Sequence, residues 1–129
     1  MSSRVWHALT PEEIVRDLSL HAAVLAGRSE VEGVVLFGSV IRGEHTARSD
    51  ADVVVVVREC PLSFIDRAPI YAPTTSVLPI DTFVYTLDEV PRTPLAVRAL
   101  TGGEVLFDRD GCVERLRRAL GSTRPAELR

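Results

Sequence analysis

The sequence predicts an α/β fold, with a small mixed sheet flanked by helices. Segments of helical and strand character alternate along the chain, which is typical of a sheet covered by helices. The run Val53–Val57 shows no polar alternation, so both of its faces should be buried. The chain has 129 residues, of which 46% are apolar and 26% charged, and this is enough for one domain with one core.

The N-terminal part predicts a helix and then a strand. Thr10 is placed to cap the helix, Pro11 suits its first position, and Glu13 completes a capping box. Gly27 is placed to end it. Apolar residues recur between these ends at helical spacing, at Ile14, Leu18, Ala22 and Leu25. The β-branched segment Val31–Phe37 predicts the first strand.

The middle of the chain predicts two more strands. The link between residues 31–37 and 52–57 is too short for a long crossover helix, so these strands should be antiparallel neighbours. Residues 59–79 contain four prolines and predict a long connection with about one helical turn. Residues 80–86 predict a third strand beside the second, with Asp81, Phe83 and Tyr85 on one face.

The C-terminal part predicts two helices around a short strand. One helix begins at Thr93 and Pro94 and stops at Gly102 and Gly103. Residues 104–107 follow as an edge strand. A last helix covers residues 113–120 and ends at Gly121. Residues 122–129 are polar and predict a loose tail, so the single domain should span residues 1–121.

Composition limits the classes of function. The net charge of −3 and the pI near 5.6 argue against a general nucleic-acid binder. No run of about 20 apolar residues predicts a membrane span, and the polar N-terminus has no signal-peptide core. The cytoplasm is therefore the expected compartment. Cys60 and Cys112 have no metal-ligand spacing, and we expect free thiols, at least one of them buried.

Three features predict chemistry when they are taken together. Gly38 and Ser39 follow the first strand directly, Asp50 and Asp52 stand at the mouth of the second, and Asp81 opens the third. Side chains two apart on a strand share a face, so Asp50 and Asp52 should present neighbouring carboxylates. Such carboxylates repel one another, and a divalent cation removes this penalty.

Carboxylate oxygens suit Mg²⁺, which usually combines one or two of them with substrate phosphates. Asp81, on the next strand, would supply a third carboxylate. Three carboxylates permit two metal ions, which can clamp the attacking and leaving oxygens of a phosphoryl transfer. Asp50, Asp52 and Asp81 are therefore the predicted metal ligands and catalytic residues.

The Gly38–Ser39 turn predicts a phosphate site. Gly38 lets a phosphate approach the backbone, Ser39 adds a hydroxyl donor, and Arg42 could add a charge-assisted contact. Ser49 precedes Asp50, and its hydroxyl suits local ordering of that loop.

The string from Gly38 and Ser39 to Arg42 and Gly43, followed by Ser49-Asp50-Ala51-Asp52, resembles the minimal nucleotidyltransferases of the DNA polymerase beta-like superfamily. The segment 79–84 resembles the strand that carries their third carboxylate. The resemblance covers about residues 10 to 110. Ile41 and His45 stand where the family usually has small residues.

The resemblance implies transfer of a nucleoside monophosphate, with AMP from ATP as the expected case, to a hydroxyl, with two Mg²⁺ ions. It implies nucleotide contacts from Gly38, Ser39, Arg42 and Ser49. Stand-alone members of this kind are often encoded beside a HEPN-type helical toxin and act as its antitoxin, and some place AMP on a tyrosine of that partner.

Two other functions stay open on the sequence. The chain could neutralise a toxin by contact alone, as a binding module. It could instead modify an antibiotic or another small metabolite, with an acceptor pocket built in the 59–79 loop or by self-association of the chain. The sequence marks no base-recognition pocket, and it leaves a homo-oligomer open.

Overall fold

The computed structural model describes residues 11–37, 51–73 and 80–128. The strands of these parts form one sheet: β1 (Val31–Phe37), β2 (Ala51–Val57), β3 (Ile80–Thr86) and β4 (Glu104–Asp108). The helices are α1 (Pro11–Ala26), α2 (Phe64–Tyr71), α3 (Pro94–Gly102) and α4 (Cys112–Leu128). Two short 3₁₀ turns, Val90–Arg92 and Arg109–Gly111, precede α3 and α4.

The sheet is mixed, with strand order β3-β2-β1-β4. β1 runs antiparallel to both of its neighbours, β2 and β4, whereas β2 and β3 are parallel. The antiparallel pairing of β1 with β2, the position of β3 beside β2 and the edge position of β4 confirm the predicted arrangement. The predicted α/β class, a small mixed sheet flanked by helices, is confirmed with it.

Alternating residues of the strands divide the core into two layers. Val53, Val55 and Val57 face one layer, where α1 and α2 cover the sheet. Val54 and Val56 face the other, where α3 and α4 cover it. All five valines are at most 1% exposed, so the prediction of a strand buried on both faces is confirmed.

A glycine brings the last helix close to the sheet. A Cβ atom at Gly33 would overlap the Val113 side chain of α4. The absence of a side chain at Gly33 therefore lets α4 lie directly on β1. The side chain of Asp108 fixes the start of the same helix, since it accepts hydrogen bonds from the backbone N–H groups of Val113 at 2.8 Å and Glu114 at 3.2 Å.

The connection after β2 differs from its prediction. Residues 64–71 form a helix of eight residues rather than a single turn, and Pro69 lies inside it. Tertiary contacts explain the difference, because Arg67 and Tyr71 are buried and bonded to residues distant in sequence. These contacts outweigh the weak helix propensity of a proline-containing segment.

The end of the last helix was also predicted wrongly. α4 continues beyond Leu120 and through Gly121 as far as Leu128, into the segment expected to be loose. A glycine inside a helix costs only about 1 kcal/mol relative to alanine, so it does not have to end one. Residue 121 was therefore an uncertain marker for the helix end.

The cysteine prediction holds in the described chain. Cys112 is buried, Cys60 is half-buried, and both are free thiols. Among the helices of the described ranges, none is long and apolar enough to cross a membrane.

Candidate active site at one end of the sheet

Two of the three predicted carboxylates lie side by side in the sheet. Asp52 of β2 and Asp81 of β3 are direct register partners in the parallel pair. Partners of this kind share a face, and neighbouring strands lie about 4.8 Å apart. Asp81 is exposed and Asp52 is half-buried, so at least one carboxylate is open to solvent. The sequence predicted this neighbourhood from the position of each aspartate near the start of its strand.

The face that carries both carboxylates follows from strand alternation. Val54 comes two residues after Asp52, and Phe83 two residues after Asp81. Both of these apolar residues belong to the layer covered by α3 and α4. Asp52 and Asp81 therefore point to that side of the sheet, at the end where β2 and β3 begin. The predicted shared face of Asp81, Phe83 and Tyr85 is confirmed.

An aromatic pair lies behind the carboxylates. Phe37, the last residue of β1, is the register partner of Asp52 on the side away from Asp81. Its ring meets that of Phe83 with centroids 6.2 Å apart and planes tilted by 54°, a favourable aromatic arrangement. The two rings form an apolar contact next to the starts of β2 and β3.

The predicted phosphate loop starts at the same place in the chain. Gly38 and Ser39 follow Phe37 in sequence, and Phe37 is the neighbour of Asp52. Gly38, Ser39, Arg42, Ser49 and Asp50 themselves lie outside the described residues. Their assignment as nucleotide or metal contacts stays a prediction.

The donor set in view suits a divalent cation. Like charges directly opposite each other on neighbouring strands destabilise a sheet, and a cation between them reverses the sign of that interaction. Oxygen donors of this kind suit Mg²⁺. Within residues 11–37, 51–73 and 80–128, no group of three His, Cys, Asp or Glu side chains is placed to hold a metal. The third predicted ligand, Asp50, lies outside those ranges.

A buried arginine at the opposite end of β3 was not predicted. Arg67 of α2 is 6% exposed and donates to both Glu89 carboxylate oxygens, at 2.7 and 3.1 Å. It also donates to the carbonyls of Val84 at 3.1 Å and Leu62 at 2.9 Å. The Arg67 guanidinium is the main reason that the pKa of Glu89 lies below its ordinary value. Arg67 therefore fixes α2 against the strand that carries Asp81.

A second polar cluster at that end links α2 to the start of β1. The Tyr71 hydroxyl donates to Glu30 at 2.7 Å, and Arg28 donates to the same carboxylate at 3.1 Å. The hydrogen bond from Tyr71 holds the pKa of Glu30 below its ordinary value. Burial, followed by the Glu30 carboxylate, raises the pKa of Tyr71 to about 12. No local pattern predicts this cluster, since Tyr71 and Glu30 are 41 positions apart.

The family model described as polymerase beta nucleotidyltransferase matches residues 22–111, which include β1, β2 and β3. No functionally curated protein matches the sequence significantly.

Solved structures share the fold at low sequence identity. A candidate nucleotidyltransferase from Sulfolobus solfataricus has a TM-score of 0.58 and 18% identity, over 78% of this chain and 86% of its own. A nucleotidyltransferase-like protein from Exiguobacterium sibiricum has a TM-score of 0.56 and 16% identity, over 77% of this chain and 35% of its own. A mutant of the toxin-antitoxin pair MntA-HpeT has a TM-score of 0.51 and 17% identity, over 89% of this chain and 86% of the matched chain. A toxin-antitoxin structure with AMP-PNP has a TM-score of 0.50 and 20% identity, over 73% of this chain and 74% of the matched chain.

Proposed function

Because the chain belongs to the polymerase beta nucleotidyltransferase family, we propose that it transfers AMP from ATP to a hydroxyl group of a partner protein. In this proposal the chain is the antitoxin of a toxin-antitoxin pair, and the modified partner is a HEPN-type helical toxin. The family predicted from the Gly38-to-Asp52 motif is thereby confirmed. The nucleotide, the metal and the partner belong to the proposal.

The observation that supports the activity is the register of Asp52 with Asp81. Two carboxylates that share a face at adjacent strand starts form a set of oxygen donors for a divalent cation. Asp50, two residues before Asp52 in the sequence, would add a third carboxylate to the same face. Mg²⁺ is the metal that this donor set fits best, and two ions with nucleotide bound are proposed. When bound, the metal neutralises charge on the phosphoryl oxygens.

The three aspartates have defined tasks in this proposal. Asp50 and Asp52 hold the metal. Asp81 holds it from the neighbouring strand and accepts the proton of the attacking hydroxyl, which requires hydrogen-bond reach directly or through one water. The exposure of Asp81 suits this second task, because an acceptor from another molecule has to reach it.

The phosphates are assigned to the loop that follows β1. The backbone N–H groups and the hydroxyl at Gly38 and Ser39 would bind them, and Arg42 would add a cation. Ser49 would order the loop before Asp50. Gly38 follows Phe37, the neighbour of Asp52, so the phosphate-binding residues and the carboxylates would contact the same nucleotide.

The acceptor is assigned to a second protein for two reasons. The helices of the described residues all pack on the sheet, so none of them forms an acceptor-holding domain. The fold is also shared with two toxin-antitoxin structures, one of them described with AMP-PNP, a nucleoside triphosphate analogue. Transfer requires that both reactants be held in line, so the isolated chain should turn ATP over poorly.

The decisive experiment weighs both proteins after reaction. The chain is co-purified with the protein encoded beside it and incubated with ATP and Mg²⁺, and intact masses are recorded. We expect the partner to gain the mass of one AMP, and we expect no gain with Asp52→Asn.

Asp88→Asn is a matched control, because Asp88 lies on the surface and pairs only with exposed Arg92 in the contacts that the structure shows. Neutralisation of the partner without a mass gain would show a binding module instead. Efficient labelling of a small-molecule hydroxyl by the chain alone would show a small-metabolite transferase.

A further inference from the structure

The surface between α1 and α2 is apolar and open. Leu20 and Val24 of α1 are 65% and 72% exposed, and Ile70 of α2 is 42% exposed. These three side chains line a groove of about 410 Å³ between the two helices. Exposed large apolar side chains that cluster on a protein surface often mark an interaction site.

From this groove we infer that two copies of the chain form a symmetric dimer, with α1 packed antiparallel against α1 of the partner subunit. Leu20 and Val24 lie at the centre of the interface, and Asp17 of each subunit faces the partner subunit's Arg28. The inference concerns the association of the chain with itself, and only the exclusion of the acceptor protein as occupant rests on the proposed function.

The position of the groove argues against the acceptor protein as its occupant. α1 and α2 cover the layer of Val53 and Val55, whereas Asp52 and Asp81 point to the layer of α3 and α4. A protein seated between α1 and α2 is therefore separated from both carboxylates by the sheet. A second copy in the groove leaves both active sites open, as a constitutive dimer requires.

The outer stripe of α1 has the spacing of a helix–helix seam. Asp17, Leu20 and Val24 follow one another at intervals of three and four residues, which is the spacing of a coiled-coil interface. In an antiparallel pair centred at the level of Ala22, Leu20 of one subunit meets the partner subunit's Val24.

A two-fold rotation brings the negative charge of one subunit's stripe opposite the positive charge of the other. The acidic residue Asp17 lies on the N-terminal side of the centre, and Arg28 lies beyond the C-terminal end of α1. At 1.5 Å per helical residue Asp17 is about 7.5 Å from the centre on one side, and Arg28 lies on the other side, just past the end of the helix. An antiparallel two-fold therefore places each Asp17 opposite the partner subunit's Arg28, twice per dimer.

Arg28 is held in position before any dimer forms. Its guanidinium lies 5.1 Å from the centroid of the Tyr71 ring and donates to Glu30 at 3.1 Å. Its side chain is still 47% exposed, so donor groups remain open at the end of the groove. A preorganised arginine loses little freedom when it meets a carboxylate.

The first test measures the oligomeric state of the purified chain by light scattering coupled to size exclusion, over a dilution series. We expect a dimer, and we expect Leu20→Glu to raise the dimer dissociation constant at least about tenfold by burying a charge at the centre of the interface. Ile65→Glu is the matched control, because Ile65 is 80% exposed on the other side of α2 and should leave the constant unchanged. Circular dichroism checks that each variant is folded.

The second test isolates the antiparallel register. Asp17→Arg alone and Arg28→Asp alone each place like charges opposite one another, and each should weaken its own homodimer. A mixture of the two variants restores opposite charges at both contacts, so native mass spectrometry with one variant tagged should show the mixed dimer in clear excess. If either residue only supported the fold of its own subunit, mixing the two variants would not restore dimer formation.

Three outcomes would overturn the inference. The chain could be monomeric throughout the dilution series, or the dimer could survive Leu20→Glu unchanged. The third is a chain that is monomeric alone and whose binding to the co-encoded protein is lost with Leu20→Glu, which would assign the groove to that partner.

Discussion

Acidic residues have different neighbours at the two ends of the sheet. Where β2 and β3 begin, Asp52 and Asp81 are neighbours of the same charge. Where these strands finish, acidic side chains meet arginines, in the pairs Arg28–Glu30 at 3.1 Å, Arg58–Glu32 at 3.1 Å and Arg67–Glu89 at 2.7 Å. Acidic residues at the far end are thus paired with arginines, whereas the pair of aspartates at the strand starts is the one that the proposed function assigns to a cation.

The comparison suggests a division between residues that the proposed function uses and residues that stabilise the fold. Under the proposed function, we expect that a carboxylate at the first end can be replaced with little loss of stability, because the substitution separates two like charges on neighbouring strands. At the second end Glu89 holds α2 against the sheet, and its loss leaves the buried Arg67 guanidinium without its partner, whereas Arg28 and Arg58 are about half exposed. Each prediction below tests this division, and the largest expected effect comes first.

Asp52→Asn should abolish Mg²⁺-dependent transfer, and Asp50→Asn should do the same. The free energy of unfolding without metal should stay within about 1 kcal/mol of the wild type or rise, since a repulsive cross-strand pair is removed. Transfer is followed by intact mass, and stability by urea titration in the presence of a chelator. Wild-type transfer by either variant would refute the metal assignment, and a large loss of stability would break the comparison.

Asp81→Asn should lower the turnover number by about 100-fold, the usual scale for loss of a general base. The dissociation constant for ATP should change by less than about tenfold, because the phosphates would still meet Asp52 and the loop after β1. Single-turnover kinetics and equilibrium nucleotide binding measure the two effects separately. A parallel fall in both would make Asp81 a ground-state ligand rather than a base.

Glu89→Gln should destabilise the fold by roughly 2 kcal/mol while leaving transfer intact. The loss is smaller than for a fully buried pair, because the Glu89 side chain is 33% exposed although that of Arg67 is only 7% exposed. Asp88→Asn is the control, since its pair with Arg92 is exposed and should contribute less than about 0.5 kcal/mol. Chemical denaturation followed by circular dichroism gives both values. Equal effects of the two substitutions would contradict the assignment of Arg67–Glu89 as the stabilising pair.

Acidification should weaken the fold through the second end of the sheet. Tyr71 lowers the pKa of Glu30 and Arg67 that of Glu89, both below the ordinary value of 4.5. Between the folded and unfolded pKa values the unfolded chain binds more protons, so this stabilisation is present above about pH 4.5 and is lost as the pH falls through the folded values.

Urea midpoints measured from about pH 7 to about pH 3 should show this loss. Tyr71→Phe should reduce its size, because it removes the main cause of the Glu30 shift, and should cost about 1 kcal/mol at neutral pH. A pH profile identical to that of the wild type would show that the Tyr71–Glu30 bond does not control the titration.

Much of the site was predictable because its signals are local. The valine run of β2 and the positions of Asp52 and Asp81 near their strand starts are short patterns, and strand periodicity places these side chains on faces. The short link between β1 and β2 allowed only an antiparallel pair, which the structure confirms. The sequence alone therefore predicted that Asp52 and Asp81 lie close together.

The remainder depends on contacts between distant parts of the chain. Proline and glycine at residues 69 and 121 suggested breaks, yet α2 and α4 continue through them. Arg67 lies 22 positions from Glu89, and Tyr71 lies 41 positions from Glu30, so no window of sequence joins them.

The sequence by itself thus determined the order of the elements, the faces of the strands and the adjacency of Asp52 and Asp81. Only the tertiary structure decided the parallel alignment of β3 with β2, the ion pairs at the far end of the sheet and the open groove between α1 and α2. The physical reason is that periodicity and turn chemistry act within a few residues. The partner of a buried charge, and the apolar surface that stays uncovered, depend instead on how whole elements pack.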